Sequence, residues 1–305
     1  MRPYSRRKFI GTAASIAGAA FAGPLMSFKK QTPLLSFSTL GCPDWSFDEI
    51  INFAAANNYN GIEIRGIRKE LDLTKCNEFS TKENIAASKQ KLKDKGLAFV
   101  CLGSSATMHY KEEKERQKNL DDGKKFIDLA NELGCPYVRV FPNNLPKEQD
   151  KNETLELITQ GLLTLGDYAK NSNVTVLMET HGDLTKTEDI VKVITPAAGK
   201  HVGLVWDVAN MWNATKESPS NVYPQLKKYI HHTHIKDSLT VDGKINYKFL
   251  GKGEVPIFEA IDLLHKGGYK GYYSFEWEKL WHPEIEAPEL AFADYSKAMQ
   301  QHFGK

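Results

Sequence analysis

The sequence predicts an α/β protein, a single (β/α)8 TIM barrel, and three observations carry that reading. Eight short apolar or β-branched runs recur along the 305 residues, their starts 27, 37, 39, 37, 28, 27 and 42 positions apart. Each gap holds a loop, a helix and a second loop, the spacing of a repeated βα unit. Helix boundaries are punctuated where such units need them. The first run leads into Gly41-Cys42-Pro43-Asp44-Trp45-Ser46, which is not the glycine-rich phosphate turn of an open doubly wound sheet. Eight units in about 270 residues suit closure into a barrel, for which about 250 is typical.

The runs are LLSFSTLG (34–41), GIEIRG (61–66), AFVCLGSS (98–105), YVRVFPN (137–143), VTVLMETH (174–181), VGLVWDVAN (202–210), YIHHTHIKD (229–237) and GYYSFEWE (271–278). They are short, rich in Val, Ile and aromatics, and bounded by turn residues, so they read as strands. Between them, Ser46 with Glu49, Ser80 with Glu83 and Thr185 with Glu188 have the spacing of capping boxes that start helices. DKG (94–96), ELG (132–134) and HKGG (265–268) put glycine where helices end. No linker or composition break follows residue 33, so residues 34–305 form one domain behind a short segment, 23–33.

Residues 1–22 stand apart. SRRKFIGTAASIAGAAFAG (5–23) joins Arg6 and Arg7 to a short Ala/Gly-rich apolar run ending in Ala20-Phe21-Ala22. It resembles a twin-arginine export signal with a small-x-small cleavage site, which implies an exported, periplasmic protein with no stable membrane insertion after cleavage. Removing it takes four basic and no acidic residues, turning a net charge of +2 into −2. A slightly acidic chain without a basic run excludes nucleic acid and anionic membrane as natural partners. A small molecule is the expected partner, and self-association is left open. Cys42, Cys76, Cys101 and Cys135 form no C-x-x-C pair, which rules out zinc-finger and thioredoxin-like readings and predicts buried free thiols.

In a barrel of this kind, chemistry sits where strands end. Period-two alternation turns Thr175, Leu177, Glu179 and His181 inward on the fifth run, and Gly203, Val205 and Asp207 on the sixth. It does the same for His232, His234 and Lys236 on the seventh, and for Tyr272, Ser274, Glu276 and Glu278 on the eighth. Four consecutive strands thus deliver a carboxylate or imidazole to one mouth. Three buried carboxylates repel one another unless a cation offsets them, and a divalent ion is the economical answer. Glu179, Asp207, Glu276 and His234 offer three oxygens and one nitrogen, which suit Mn, Mg, Co or Zn without choosing among them. His231 faces away from His234, and His232 lies deeper as a satisfied barrel histidine. Trp206 reads as packing, and Trp212, in the loop after the sixth run, as a cover for a sugar face. Lys236, Arg65 and Arg139 are candidates to bring positive charge to substrate, although an ion pair with Glu63 accounts equally well for Arg65.

METHGD (178–183), GLVWDVAN (203–210), HHTHIKD (231–237), LGKGEVP (250–256) and GYKGYYSFEWE (268–278) resemble the successive blocks of the xylose isomerase-like sugar isomerase/epimerase superfamily. The resemblance implies one ion on Glu179, Asp207, His234 and Glu276, with the two glutamates doubling as acid and base. It also implies a carbohydrate substrate, an ion-stabilised enediolate, and His181 bonded to a sugar hydroxyl or carbonyl. Many epimerases of the group carry histidine where this chain has Asn210, a substrate-contact position. That departure puts reaction type in question.

The leading expectation is an isomerase or epimerase of a free or keto sugar. A keto-sugar lyase or hydratase using the same enolate is the alternative, and a barrel endonuclease or a silent sugar-binding barrel are weaker ones. The modest GKG (251–253) is the one phosphate-cradle candidate after the seventh run, so phosphorylated substrates are not favoured.

Overall fold

In the computed structural model residues 33–304 are described, and the sequence-based assignments of 1–22 and of most of 23–33 fall outside them. Within the described residues the chain is a closed eight-stranded parallel barrel with alternating helices. The units run β1 Leu34–Ser38, α1 Phe47–Ala56, β2 Gly61–Ile64, α2 Lys82–Asp94, β3 Ala98–Thr107, α3 Glu113–Leu133, β4 Tyr137–Phe141, α4 Lys151–Tyr168 and β5 Thr175–Glu179. They continue with α5 Thr187–Ala197, β6 Val202–Asp207, α6 Val208–Thr215, α7 Pro219–Leu226, β7 Ile230–Ile235, a hairpin β8 Asp237–Val241 and β9 Lys244–Lys248, α8 Ile257–Lys266, β10 Tyr272–Phe275 and α9 Pro288–His302. Around the barrel the order is β1-β10-β7-β6-β5-β4-β3-β2, so all eight predicted runs become its staves.

β1 and β10 pair directly to close the barrel, and the final helix covers their seam. Phe292 of α9 stacks on Phe37 of β1 at 4.1 Å, and Tyr295 stacks on Phe275 of β10 at 4.5 Å. Tyr295 also donates its hydroxyl to Tyr273 O at 2.9 Å. The seam between the first and last strands is therefore sealed by aromatic area with a satisfied polar tip.

The predicted helix-ending glycines are in place: Gly96, Gly134 and Gly268 all adopt positive φ. At Gly134, φ 71° lets its amide turn back onto Ala130 and Asn131, which a side chain would resist. Of the predicted capping boxes, only Ser46 with Glu49 forms reciprocally. At α2 the cap is Thr81, which accepts from Asn84 N, while Ser80 turns back to Asn77 O. At α5 no local side chain caps the helix. Glu217 instead accepts from both the amide and the hydroxyl of Thr187, at 3.0 and 3.1 Å, so a distant carboxylate replaces the predicted Thr185 box.

The segment after the seventh run holds an unpredicted element. Asp242 and Gly243 at φ 50° and 74° make the tight turn of the β8–β9 hairpin. Trp212, predicted in a loop, lies on α6, which starts directly from Asp207. All four cysteines are free and buried, as expected.

Candidate active site

The register of the strands brings the polar ends level. His234 pairs with Asp207 on β6 and with Ser274 on β10, and Glu179 pairs with Val205. Glu276 follows β10 directly, and its amide bonds to Ile235 O at 3.1 Å. One donor atom from each of Glu179, Asp207, His234 and Glu276 lies within 4.8 Å of the others, and all four residues are buried. Ligands about 2.0–2.3 Å from a divalent ion stand at this kind of mutual separation.

The residues fit an ion on a second count. His234 Nδ1 is a buried atom with no hydrogen-bond partner. His234 Nδ1 faces Glu179 Oε1 and Glu276 Oε1 at 3.3 Å each and Asp207 Oδ2 at 3.8 Å. A buried imidazole nitrogen left without a hydrogen bond among three carboxylates is costly unless a cation joins them. Five buried carboxylates, Glu63, Glu179, Asp207, Glu276 and Glu278, face three buried cations, Arg65, Arg139 and Lys236. With these groups ionised and His234 neutral, as an ion ligand must be, the set has an excess of two negative charges, which a divalent ion offsets.

Electrostatics follows the same geometry. Burial pushes Asp207 up to about 7, against the pull of Lys236. Glu276 is held well below the usual carboxylate range, because His234 and Lys236 outweigh the desolvation that would raise it. Glu179 is lowered too, His234 and Arg139 overcoming burial and the repulsion of Glu276. Burial would depress His234, yet the charges of Glu276, Glu63 and Glu179 raise it well above an ordinary histidine.

Lys236 sits among carboxylates. Its Nζ is 2.8 Å from Asp207 Oδ2 and 2.6 Å from both Glu276 Oε2 and Glu278 Oε1, with 2% of the side chain exposed. Its charge is thereby committed to the protein's own acids. Arg139 is similarly committed, with Nη1 donating to Ser104 O at 2.9 Å, Nε 3.1 Å from Glu179 Oε2, and its guanidinium 3.8 Å from the Phe141 ring. Arg65 makes no ion pair with Glu63. It donates to Ser105 Oγ at 2.9 Å and Gly103 O at 3.4 Å, and burial beside Arg139 lowers its pKa to about 9.

His181, just past β5, lies 4.5 Å from the Phe141 ring and pairs Nδ1 with Asn143 Oδ1 at 2.9 Å. With Asn143 accepting, Nε2 keeps a lone pair. Burial lowers the His181 pKa, which favours the neutral ring. Asn210 turns toward the protein: its Nδ2 donates to Thr180 O at 3.3 Å and Glu179 Oε1 at 3.4 Å. Trp212 is partly buried against the core under Lys216, whose Nζ is 5.2 Å from the ring, while Nε1 has no partner. Trp206 is buried and stacks with Tyr223.

Two features escaped the sequence reading. Glu63 bonds to His232 and His234, and the GKG turn is occupied: Asp237 accepts from the amides of Gly251 and Gly253 at 2.9 Å and of Val255 at 3.2 Å. A Cβ on Gly253 would stand 2.1 Å from Asp237 Oδ1, so only glycine permits this approach.

The fold and site define a barrel enzyme scaffold with a buried carboxylate and histidine centre at the C-terminal ends of its strands. The chain belongs to the xylose isomerase-like TIM barrel family, whose profile matches residues 51–298. It is 24% identical over 226 residues to a 3-dehydroshikimate dehydratase of Bacillus anthracis, covering 71% of this chain and 78% of that one. It is 23% identical over 275 residues to a putative L-ribulose-5-phosphate 3-epimerase, SgbU, of Haemophilus influenzae, covering 85% and 92%. Among solved structures, the IolI protein with a bound zinc atom superposes with a TM-score of 0.75 at 17% identity, covering 88% of this chain and 98% of that one.

Proposed function

We propose that the protein is a divalent-metal-dependent isomerase or epimerase of a free or keto sugar, working by proton transfer next to a carbonyl. The observation that carries this is the convergence of Glu179, Asp207, His234 Nδ1 and Glu276 within 4.8 Å. An ion held by these four supplies Lewis-acid stabilisation of the negative charge that develops on neighbouring substrate oxygens. Glu179 and Glu276 arrive from β5 and β10, separated in the barrel by β6 and β7. Both are held in the ionised range, so either can take the first proton, and the other must first pick up a proton from solvent before it can return one to the opposite face. Asn210 holds Glu179 and Lys236 holds Glu276, which limits their wandering between the two transfers. His181 offers Nε2 to a substrate hydroxyl. The epimerase relative supports this chemistry. Its name specifies a phosphorylated sugar, whereas here the GKG amides are taken up by Asp237, which favours a substrate without phosphate.

A second reading rests on the dehydratase relative. The same proton abstraction followed by loss of a β-hydroxyl would make the protein a lyase. Both are tested by incubating the metal-loaded protein in deuterated water with a panel of ketoses and keto-glycosides. Isomerisation or epimerisation gives a deuterated, skeletally intact product in the NMR spectrum, while elimination gives an enone absorbance. No carbon-bound exchange with any substrate would sink both.

A further inference from the structure

Glu63 lies on β2, and its carboxylate reaches the histidines of β7. His234 Nε2 is 3.0 Å from Oε1 and 3.1 Å from Oε2, and His232 Nε2 is 2.9 Å from Oε2. Ser274 donates its hydroxyl to Oε2 at 3.1 Å. All four side chains are wholly inaccessible to solvent. No lysine or arginine pairs with Glu63 among the described residues. A buried carboxylate so placed costs stability unless its hydrogen bonds are complete, and here three donors complete them.

The consequence falls on His234. A neutral imidazole that donates from Nε2 must present a lone pair at Nδ1. Nδ1 is the atom that faces Glu179, Asp207 and Glu276 and has no hydrogen bond of its own. Taking those four residues as the ion site, on which this inference rests, we propose that Glu63, steadied by His232 and Ser274, is the positioning residue that fixes the ring and tautomer of His234 so that Nδ1 meets the ion. Glu63 acts through His234 and touches neither ion nor substrate. The arrangement also gives His232 its use: it holds the carboxylate, and lies too deep to share the ligand set.

The test is a titration of the metal-depleted full chain with Zn2+ against a competing chromophoric chelator, alongside thermal melts without metal. The parent is expected to bind one ion. Glu63→Gln keeps the side chain's volume but replaces one carboxylate oxygen with an amide donor, which opposes at least one of the three donors. It is expected to bind one ion about 10–100-fold more weakly, the loss typical when a histidine ligand's carboxylate partner is removed. Ser274→Ala, which removes one support and leaves His234 its partner, is expected to weaken binding a few-fold with little change in melting. Glu63→Gln binding as tightly as the parent overturns the proposal. So does a parent that binds two ions with one lost in Glu63→Gln, because Glu63, His232 and His234 would then be ligands of a second ion. If Glu63→Gln does not fold, Ser274→Ala decides, and an unchanged affinity there overturns the proposal. A parent that binds no ion rejects the ion site itself, an outcome distinct from all of these.

Discussion

Lys236→Met offers a demanding test of the site's electrostatics. Methionine retains the apolar stem that packs in the barrel, so the substitution removes chiefly the charge. That charge lies within 2.8 Å of Asp207, Glu276 and Glu278, and the side chain is 2% exposed. Breaking a buried ion pair from one side costs about 3–5 kcal/mol, because the partner charge stays behind unpaired. Here three carboxylates are left, and repulsion among them raises the cost until Asp207 and Glu278, already pushed up by burial, take protons. A loss of about 3–5 kcal/mol in a barrel of this size lowers the melting temperature by roughly 6–15 °C. The assay is a thermal melt of metal-depleted protein at pH 7.5, repeated with excess Mn2+. The metal-free variant should melt well below the parent, and Mn2+ should recover part of the deficit by restoring positive charge to Asp207 and Glu276. A metal-free melting temperature within about 2 °C of the parent would refute the claim that Lys236 neutralises the site.

Glu179→Gln should lower turnover by about 10²–10⁴-fold, the usual contribution of a positioned acid or base, as read by the rate of deuterium exchange. The stabilisation gained on adding ion should grow from pH 5.5 to pH 8. Asp207 is pushed up to about 7, so its favourable contribution to the metal-free fold is present at acid pH and lost as pH rises through 7, whereas the ion requires the carboxylate. Melts with and without Mn2+ should therefore diverge as pH rises, and a gap that narrows would contradict this. Gly253→Ala should cost at least about 3 kcal/mol in urea unfolding, because the new Cβ would displace Asp237 from the charge-assisted bonds it accepts from the amides of Gly251, Gly253 and Val255. Replacing Arg6 and Arg7 with lysine should keep the protein in the cytoplasm, measured by fractionation of cells expressing both forms.

The barrel was legible because its signal repeats. Eight apolar runs at similar spacing leave few other topologies, and alternation then points alternate residues inward. Alternation turns Glu179, Asp207, His234 and Glu276 inward, but it turns His181, His232, Lys236 and Glu278 inward as well. Glu63 could not be assigned a partner in the same way, since GIEIRG shows equally an arginine two residues away and nothing of the histidines about 170 positions later. Only closure of the barrel decides between them, and it favours the histidines. Lys236 was placed on the correct face, but its three partners depend on side-chain reach, which alternation does not encode. The hairpin was readable in principle: Asp242-Gly243 between LTV and KIN is a strong turn signal, obscured by the expectation that a helix follows each strand. At α2 and α5 the capping residues differ from the spacing rule because neighbouring hydroxyls compete locally, and because Glu217 caps from a distant loop.

One divalent ion held among Glu179, Asp207, His234 and Glu276, with Nδ1 as the histidine donor, would be visible directly. Crystals grown with Mn2+ and an anomalous difference map would locate it. A single strong peak is expected about 2.0–2.3 Å from His234 Nδ1 and from carboxylate oxygens of Glu179, Asp207 and Glu276. A peak between Glu63 and His232, or no peak in the barrel mouth, would contradict it.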